Sequence, residues 1–293
     1  MTSRALPPPT VLYIVGQSHV GSTYLSRVLN QHPHIFDAGE LNKLHHRMSP
    51  GAECACQFGP GGKIGECDFW RRLMRALEAE GIALNELSCL SDTCTGEWRR
   101  ALFGRPSGRR QRRFVENNLR LFDAIRQYSG KPITLDCSKS PWRLLPLFRS
   151  RLIRVKVLHL MRNPRGQIAS RMNRGKGFWH TSILKYWRKN SLCVRLFDHD
   201  EAYLRVSFDQ FLEAPDAVLS GIFQWLGVAE MDPFAVQPAS YHHLAGGWAR
   251  RDPELKRPSP ALSRRATRYT RLQNRCLRFL EHRFRDQSTQ EPF

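Results

Sequence analysis

Gly16-Gln-Ser-His-Val-Gly21-Ser22-Thr23 is the first stretch whose residue types and spacing suit chemistry. Its GxxxxG frame is that of a loop that wraps an anion in backbone N–H groups. A helix opening at Ser22 would add its free N-terminal amides and the positive end of its dipole. The lysine of GxxxxGK[ST], which reaches the β- and γ-phosphates of a triphosphate, is replaced by Ser22. The loop therefore suits a phosphorylated ligand, while a P-loop kinase becomes the weaker alternative. A second half-site lies in His159-Leu-Met-Arg162-Asn-Pro-Arg-Gly-Gln-Ile-Ala-Ser170. Arg162 falls at a strand end, where a planar guanidinium can fork onto a phosphate. Ser170 sits within two turns of the next helix, about 10 Å along its axis. Singly, Arg162 reads as a surface ion pair and Ser170 as helix filler, and the loop has a plain glycine turn as its alternative. Together they point to a nucleotide.

The surrounding elements alternate. Val11-Leu-Tyr-Ile-Val15 reads as a buried strand, and residues 22–31 as a helix with Leu25, Val28 and Leu29 on one face, ended by Pro33. Residues 41–130 lack a clear strand and read as a mainly helical insertion on the acceptor side. Strands are expected at 133–136, 155–160 and 203–208, with helices at 141–151, 164–172 and 216–226. Asn163-Pro164 supplies a cap and first turn, and Gly227 a C-terminal stop. Strand–helix alternation implies a parallel sheet with helices on both faces, whose ligands lie at the carboxyl ends of the strands. The expectation is one α/β domain over 1–293, with a tail at 1–10 and a basic helix and tail at 251–293.

The 293 residues include 41% hydrophobic ones, enough for a core, and carry a net charge of +20. That charge favours polyanions: nucleic acid, an anionic membrane surface, acidic glycans or phosphorylated nucleotides. Seven arginines lie between Arg99 and Arg113, and eight between Arg264 and Arg285, where Tyr269, Leu272, Cys276 and Phe279/Leu280 repeat at helical spacing. They fit solvated faces or an anionic membrane. No nucleic-acid-binding signature is present, which disfavours that partner. No apolar run approaches the ~18 residues of a spanning helix, and Met1–Thr10 has no apolar leader core, so a cytoplasmic enzyme is expected. The eight cysteines fit reduced thiols or a metal site better than a disulfide framework.

The paired motifs resemble the 5′-phosphosulfate loop and 3′-phosphate motif of sulfotransferases that use 3′-phosphoadenosine 5′-phosphosulfate (PAPS), nearest to their bacterial, carbohydrate and tyrosylprotein branches. The family's [KR]-x-G-[ST]-[ST] loop corresponds to His19-Val20-Gly21-Ser22-Thr23, with His32-Pro33 following. Its arginine and serine for the 3′-phosphate correspond to Arg162 and Ser170. Leu204 through Asp209 with Trp225-Leu-Gly227 is similar to its strand and "FLG" helix, and Asp136-Cys-Ser-Lys139-Ser-Pro141 to its D-x-x-K-x-P segment. His243-Leu-Ala-Gly246-Gly247-Trp-Ala-Arg250 is similar to the H-x-x-G-N-x-x-R loop that closes on the cofactor. His19 replaces the usual loop cation, and Gly247 the usual asparagine.

The resemblance implies a P-loop NTPase-like fold and a transferase that turns PAPS into 3′-phosphoadenosine 5′-phosphate (PAP). Gly16, His19, Val20 and the 21–23 amides would hold the phosphosulfate, and Tyr24 would stack on adenine. Arg162, Ser170, His243, Gly246, Gly247 and Arg250 would complete the cofactor site. Glu40, matching the family's G-E segment, would be the general base, ionised at neutral pH, with a carboxyl that a hydrophobic setting could raise. Lys139 would stabilise charge on the moving sulfuryl group. The acceptor is a small molecule, glycan, lipid or peptide. No metal is required by this scheme. Cys54, Cys56 and Cys67 with His45 and His46 nevertheless have some ligand character, against ordinary thiols or a disulfide.

Overall fold

The computed structural model describes residues 7–48, 52–56, 62–87, 108–172, 175, 178–236, 241–244, 255–259 and 270–285. Five strands are hydrogen-bonded in the order β2-β3-β1-β4-β5, where β1 is Thr10–Gly16, β2 Ile35–Gly39, β3 Ile133–Lys139, β4 Arg154–Met161 and β5 Tyr203–Ser207. The pairs β2–β3 and β4–β5 run parallel, as α/β alternation requires. Val11 through Val15 are fully buried, the continuous apolar run of a central strand covered on both faces. The chain forms two compact units, one of residues 1–13, 23–156 and 237–254, the other of 14–22, 157–236 and 255–293.

In the first unit, helix Arg109–Ser129 turns Phe114, Val115, Asn118, Leu121, Phe122 and Ile125 inward at three- and four-residue spacing. Gly130, in the left-handed region at φ 67°, closes it with its N–H on the Arg126 carbonyl. Helix Asp68–Ala79 buries Phe69, Trp70, Leu73 and Leu77 in the same way. Between 41 and 130 the described residues hold helical turns and one isolated bridge, Glu53–Lys63. The fully buried Arg143 guanidinium ties this part together. Its Nε meets Asp136 Oδ2 at 3.2 Å, Nη2 donates to Asn118 Oδ1 at 2.7 Å, Nη1 donates to the Leu87 carbonyl, and the group lies over the Phe114 ring. A buried cation is tolerable only with this many partners.

In the second unit, Asn163 Oδ1 accepts the Arg165 N–H at 2.9 Å ahead of helix Pro164–Met172, the cap expected from the sequence. Helix Pro215–Leu226 ends at Gly227, φ 72°, also as expected. Helix Trp179–Phe197 is an addition. Its inward positions include Ser182 and Asn190 beside Tyr186, Cys193 and Phe197, so its apolar periodicity is broken. The C-terminal helix Arg271–Arg285 differs from expectation in its buried face. Leu277, Leu280 and Phe284 are buried, while Leu272 and Phe279 are each 63% exposed. Phe284 and Leu280 pack with Met161 and Tyr186, and Arg165 pairs with Glu281 at 2.7 Å, which sets the rotation. No helix among the described residues is long and apolar enough to cross a membrane.

His159, fully buried on β4, faces the Tyr203 hydroxyl at 2.7 Å and Asn190 Oδ1 at 3.1 Å. Burial lowers its imidazole from 6.5 to about 4. Between those values the unfolded chain takes up a proton that the folded one refuses, so stability falls as pH drops from 6.5 towards 4. The loss is on the order of 3 kcal/mol. Denaturant midpoints across that window should fall steeply in the wild type and fall less in His159→Gln. Equal slopes would remove His159 as the cause.

Candidate functional site

The loop after β1 is shaped by backbone geometry that few residues tolerate. Gly16 has φ 147°, and a Cβ there would lie 2.4 Å from the Leu160 carbonyl oxygen. Gly21 has φ 95°, and its Cβ would lie 2.2 Å from the Phe208 ring. Between them His19 holds φ 68°, a left-handed conformation that costs a residue with a Cβ on the order of 1 kcal/mol. Side chains then brace the loop. Arg162 Nη1 donates to the His19 carbonyl at 3.2 Å, and Gln167 Nε2 to the Ser18 carbonyl at 2.9 Å. The Arg162 guanidinium lies 5.5 Å from the centroid of the Phe208 ring, the same ring that leaves no room at Gly21. Tyr186 donates its hydroxyl to the Arg162 carbonyl at 2.9 Å, fixing the backbone just after β4. Ser170 is buried on helix Pro164–Met172, and helix Ser22–Leu29 opens directly after Gly21 with Ser22 buried and Thr23 and Tyr24 half-buried. The glycines, Arg162 and Ser170 are legible in the sequence. The roles of Phe208, Gln167 and Tyr186 are not, because each braces the loop or Arg162 as a single side chain from a distant part of the sequence.

In the first unit, Glu40 and Lys139 follow the ends of β2 and β3 and meet. Lys139 Nζ lies 2.6 Å from Glu40 Oε1, and Lys43 Nζ pairs with Glu40 Oε2. Glu40 is 6% exposed and Lys139 9%. Burial pushes the Glu40 carboxyl up, but the Lys139 and Lys43 ammonium groups together outweigh it and hold the value at about 2. The carboxyl is thus ionised, as expected, while the rise that a hydrophobic setting could bring is reversed. A hydrophobic setting is present, yet two cations enter it with the glutamate, and Lys43 gave no signal in the sequence. Lys139, like His19, has a left-handed backbone, φ 61°. Of the three non-glycine residues with positive φ among those described, two are His19 and Lys139. Strain of this kind collects at functional sites.

Gly39 supports Glu40 from behind. A Cβ at Gly39, φ 79°, would lie 2.3 Å from the Leu244 nitrogen, and the Glu40 N–H donates to the Leu244 carbonyl at 2.8 Å. His243 is fully buried, with Nδ1 2.8 Å from Asp37 Oδ2. Its observed place is thus an interior one, beside a carboxylate the sequence reading did not use. Gly246, Gly247 and Arg250 lie outside the described residues, as do Arg99 to Arg105 and Arg264 to Arg268.

The cysteines are regrouped by the fold. Cys54, Cys56 and Cys67 come together with His242, their ligand atoms all within 4.8 Å of one another. His45 and His46, grouped with them on sequence proximity, are exposed on the helix Leu44–Arg47 and stand outside the cluster.

The description "Sulfotransferase family" fits residues 9–233, a span that holds both the Gly16–Gly21 loop and the Glu40–Lys139 pair. Among curated proteins, none matches the sequence. Two solved structures are similar in fold. The sulfotransferase domain of the Synechococcus PCC 7002 olefin synthase superposes with a TM-score of 0.53 at 16% identity, covering 96% of this chain and 97% of that one. The sulfotransferase domain from the curacin biosynthetic pathway gives 0.52 at 16% identity, over 93% and 98%. At that identity the likeness establishes the fold, and the family rests on the match across three-quarters of the sequence: the chain belongs to the sulfotransferase family and is an enzyme of sulfuryl transfer.

Proposed function

We propose that the enzyme takes its sulfuryl group from PAPS, transfers it to a hydroxyl acceptor and releases PAP. The observation that carries this reading is the loop from Gly16 to Gly21, where two positions exclude any Cβ, a third is left-handed, and the triphosphate-reading lysine is absent. Such a loop presents amides to a small anion. In this scheme His19, Val20, Gly21, Ser22 and Thr23 hold the 5′-phosphosulfate, with Gly16 turning the chain, and Tyr24 stacks on adenine. Arg162 and Ser170 take the 3′-phosphate. Arg250, with Gly246 and Gly247, covers the cofactor, and His243 anchors that segment through Asp37.

In the reaction the acceptor oxygen attacks sulfur, the bond from sulfur to the PAP phosphate oxygen breaks, and the acceptor proton passes to the Glu40 carboxylate. At about 2, that carboxylate is ionised but a weak base while Lys139 and Lys43 neutralise it. A sulfuryl group that draws Lys139 towards itself raises the basicity of Glu40 at the same time. Lys139 then stabilises developing charge on the transferred group. Described parts of 41–130 belong with Glu40 and would shape the acceptor side; a small-molecule, glycan, lipid or peptide hydroxyl all fit. The basic C-terminal helix, with Phe279 exposed, suits an anionic membrane surface. The six described cysteines form no disulfide with one another, and a reducing cytoplasm would suit them.

Thermal shift with PAP, AMP, ADP and ATP tests the donor. PAP should stabilise the protein and AMP should not. Arg162→Ala should remove most of the preference, roughly 1.5–3 kcal/mol for a lost charged hydrogen bond. Equal shifts for PAP and AMP would sink the assignment, and a preference for ATP would favour the kinase alternative.

A further inference from the structure

Cys54, Cys56, Cys67 and His242 lie apart in sequence yet form one compact donor set, with His242 and Cys56 half-buried and the other two buried. Tetrahedral zinc at ordinary bond lengths places sulfur and nitrogen ligands about 3.5–3.8 Å from one another. Here Cys67 Sγ is 3.3 Å from His242 Nδ1 and Cys54 Sγ is 4.0 Å from it. These values bracket the tetrahedral edge.

The backbone around the donors is built to hold them. The Cys54 N–H donates to the Gly62 carbonyl and the Ile64 N–H to the Ala52 carbonyl, both at 2.7 Å, flanking the Glu53–Lys63 bridge. That rung brings the Cys54–Cys56 segment alongside the turn leading to Cys67. Cys67 in turn precedes helix Asp68–Ala79, whose N-terminus favours a thiolate. The His242 imidazole packs against a pair of rings, 5.0 Å from Phe69 and 6.1 Å from Phe36 by centroid, which themselves lie 4.7 Å apart. Its ring plane is thereby fixed with Nδ1 towards the sulfurs. Four protein donors leave no open position, which is the pattern of a structural rather than a catalytic metal.

We propose that these four residues bind one zinc ion, in a closed Cys3His site that staples segment 241–244 to the 54–67 region. This departs from the reading of the sequence, which assigned no metal and placed His45 and His46 beside the cysteines. On binding, the three thiols release their protons to solvent and His242 stays neutral, leaving a site of net charge −1. The consequence is positional. Leu244, two residues after His242, receives the Glu40 N–H, and His243 bonds Asp37. The ion would therefore secure the backbone that supports Glu40 without touching substrate.

Elemental analysis of the full chain, purified without chelator, should find one equivalent of zinc. Cys67→Ser and His242→Ala should each reduce it to background, and Cys276→Ser, outside the cluster, should retain it. Should those variants fail to fold, wild-type protein stripped by a strong chelator and titrated with cobalt(II) gives a second reading. Thiolate charge-transfer and tetrahedral d–d bands should saturate at one equivalent, with Cys54, Cys56 and Cys67 protected from alkylation in peptide maps. Protein that carries no metal and yields no such bands overturns the site. So does full zinc content in Cys67→Ser/His242→Ala, or a disulfide among Cys54, Cys56 and Cys67 in freshly purified protein. None of these readouts depends on turnover, so they stand whether or not PAPS is the donor.

Discussion

Glu40→Gln should lower turnover by about 10²–10⁴-fold while PAP affinity stays nearly unchanged. The substitution keeps shape and hydrogen-bonding polarity and removes only the ability to take a proton. It also leaves Lys139 and Lys43 facing a neutral amide, so some loss of melting temperature is expected. For that reason the rate is compared with PAP binding measured on the same preparation: a misfolded variant loses both, and a variant lacking its base loses one. Wild-type turnover in Glu40→Gln would remove Glu40 as the base and turn attention to His45 or His46, both exposed nearby in sequence.

The second large effect is expected at Lys139. Lys139→Ala should slow turnover by about 10²–10³-fold, the scale of removing one fixed donor from a site of developing charge. It should also shift the pH profile in a direction that Glu40→Gln cannot. With Lys139 gone, burial weighs more heavily on Glu40 and its carboxyl rises from about 2. A base works only when ionised, so activity is lost as pH falls through that value, and the acid limb moves to higher pH. Lys139→Gly is the companion variant, since φ 61° suits glycine and the fold is spared the strain. An unshifted acid limb with an intact rate in both variants would take Lys139 away from the reacting centre.

What the sequence disclosed was local. The β1 run from Val11 to Val15, the Gly16–Gly21 frame, the Asn163 cap and the Gly227 stop each signal through neighbours a few residues apart, and each stands where expected. Strand β2 was hidden because Ile-Phe-Asp-Ala-Gly carries two residues that strands avoid; the buried Asp37 is held there by partners that include His243 and the Gly39 N–H. Helix Trp179–Phe197 was hidden by polar residues facing inward, one of which, Asn190, serves His159. Within the site, residue types were legible and their electrostatics were not. Glu40 stood out, but the direction of its shift depends on Lys43 and Lys139 arriving at opposite oxygens of one carboxylate. Likewise Cys54, Cys56 and Cys67 stood out, while His242 lies some 175 residues beyond Cys67, and adjacency wrongly favoured His45 and His46.

Arg143 has a bearing on how this enzyme can be re-engineered. Its guanidinium joins Leu87, Phe114 and Asn118 of the 41–130 region to Asp136 at the heart of β3, and the same Asp136 receives the Ser138 N–H one residue before Lys139. Residues 41–130, proposed above to shape the acceptor side, are therefore not a detachable cassette. A chimera that grafts them from a relative without matching Arg143 and Asp136 would strand a buried charge and disturb the strand end that carries Lys139. Swaps of acceptor preference should cut within exposed side chains of helix Arg109–Ser129 and leave the ties of Asn118 intact.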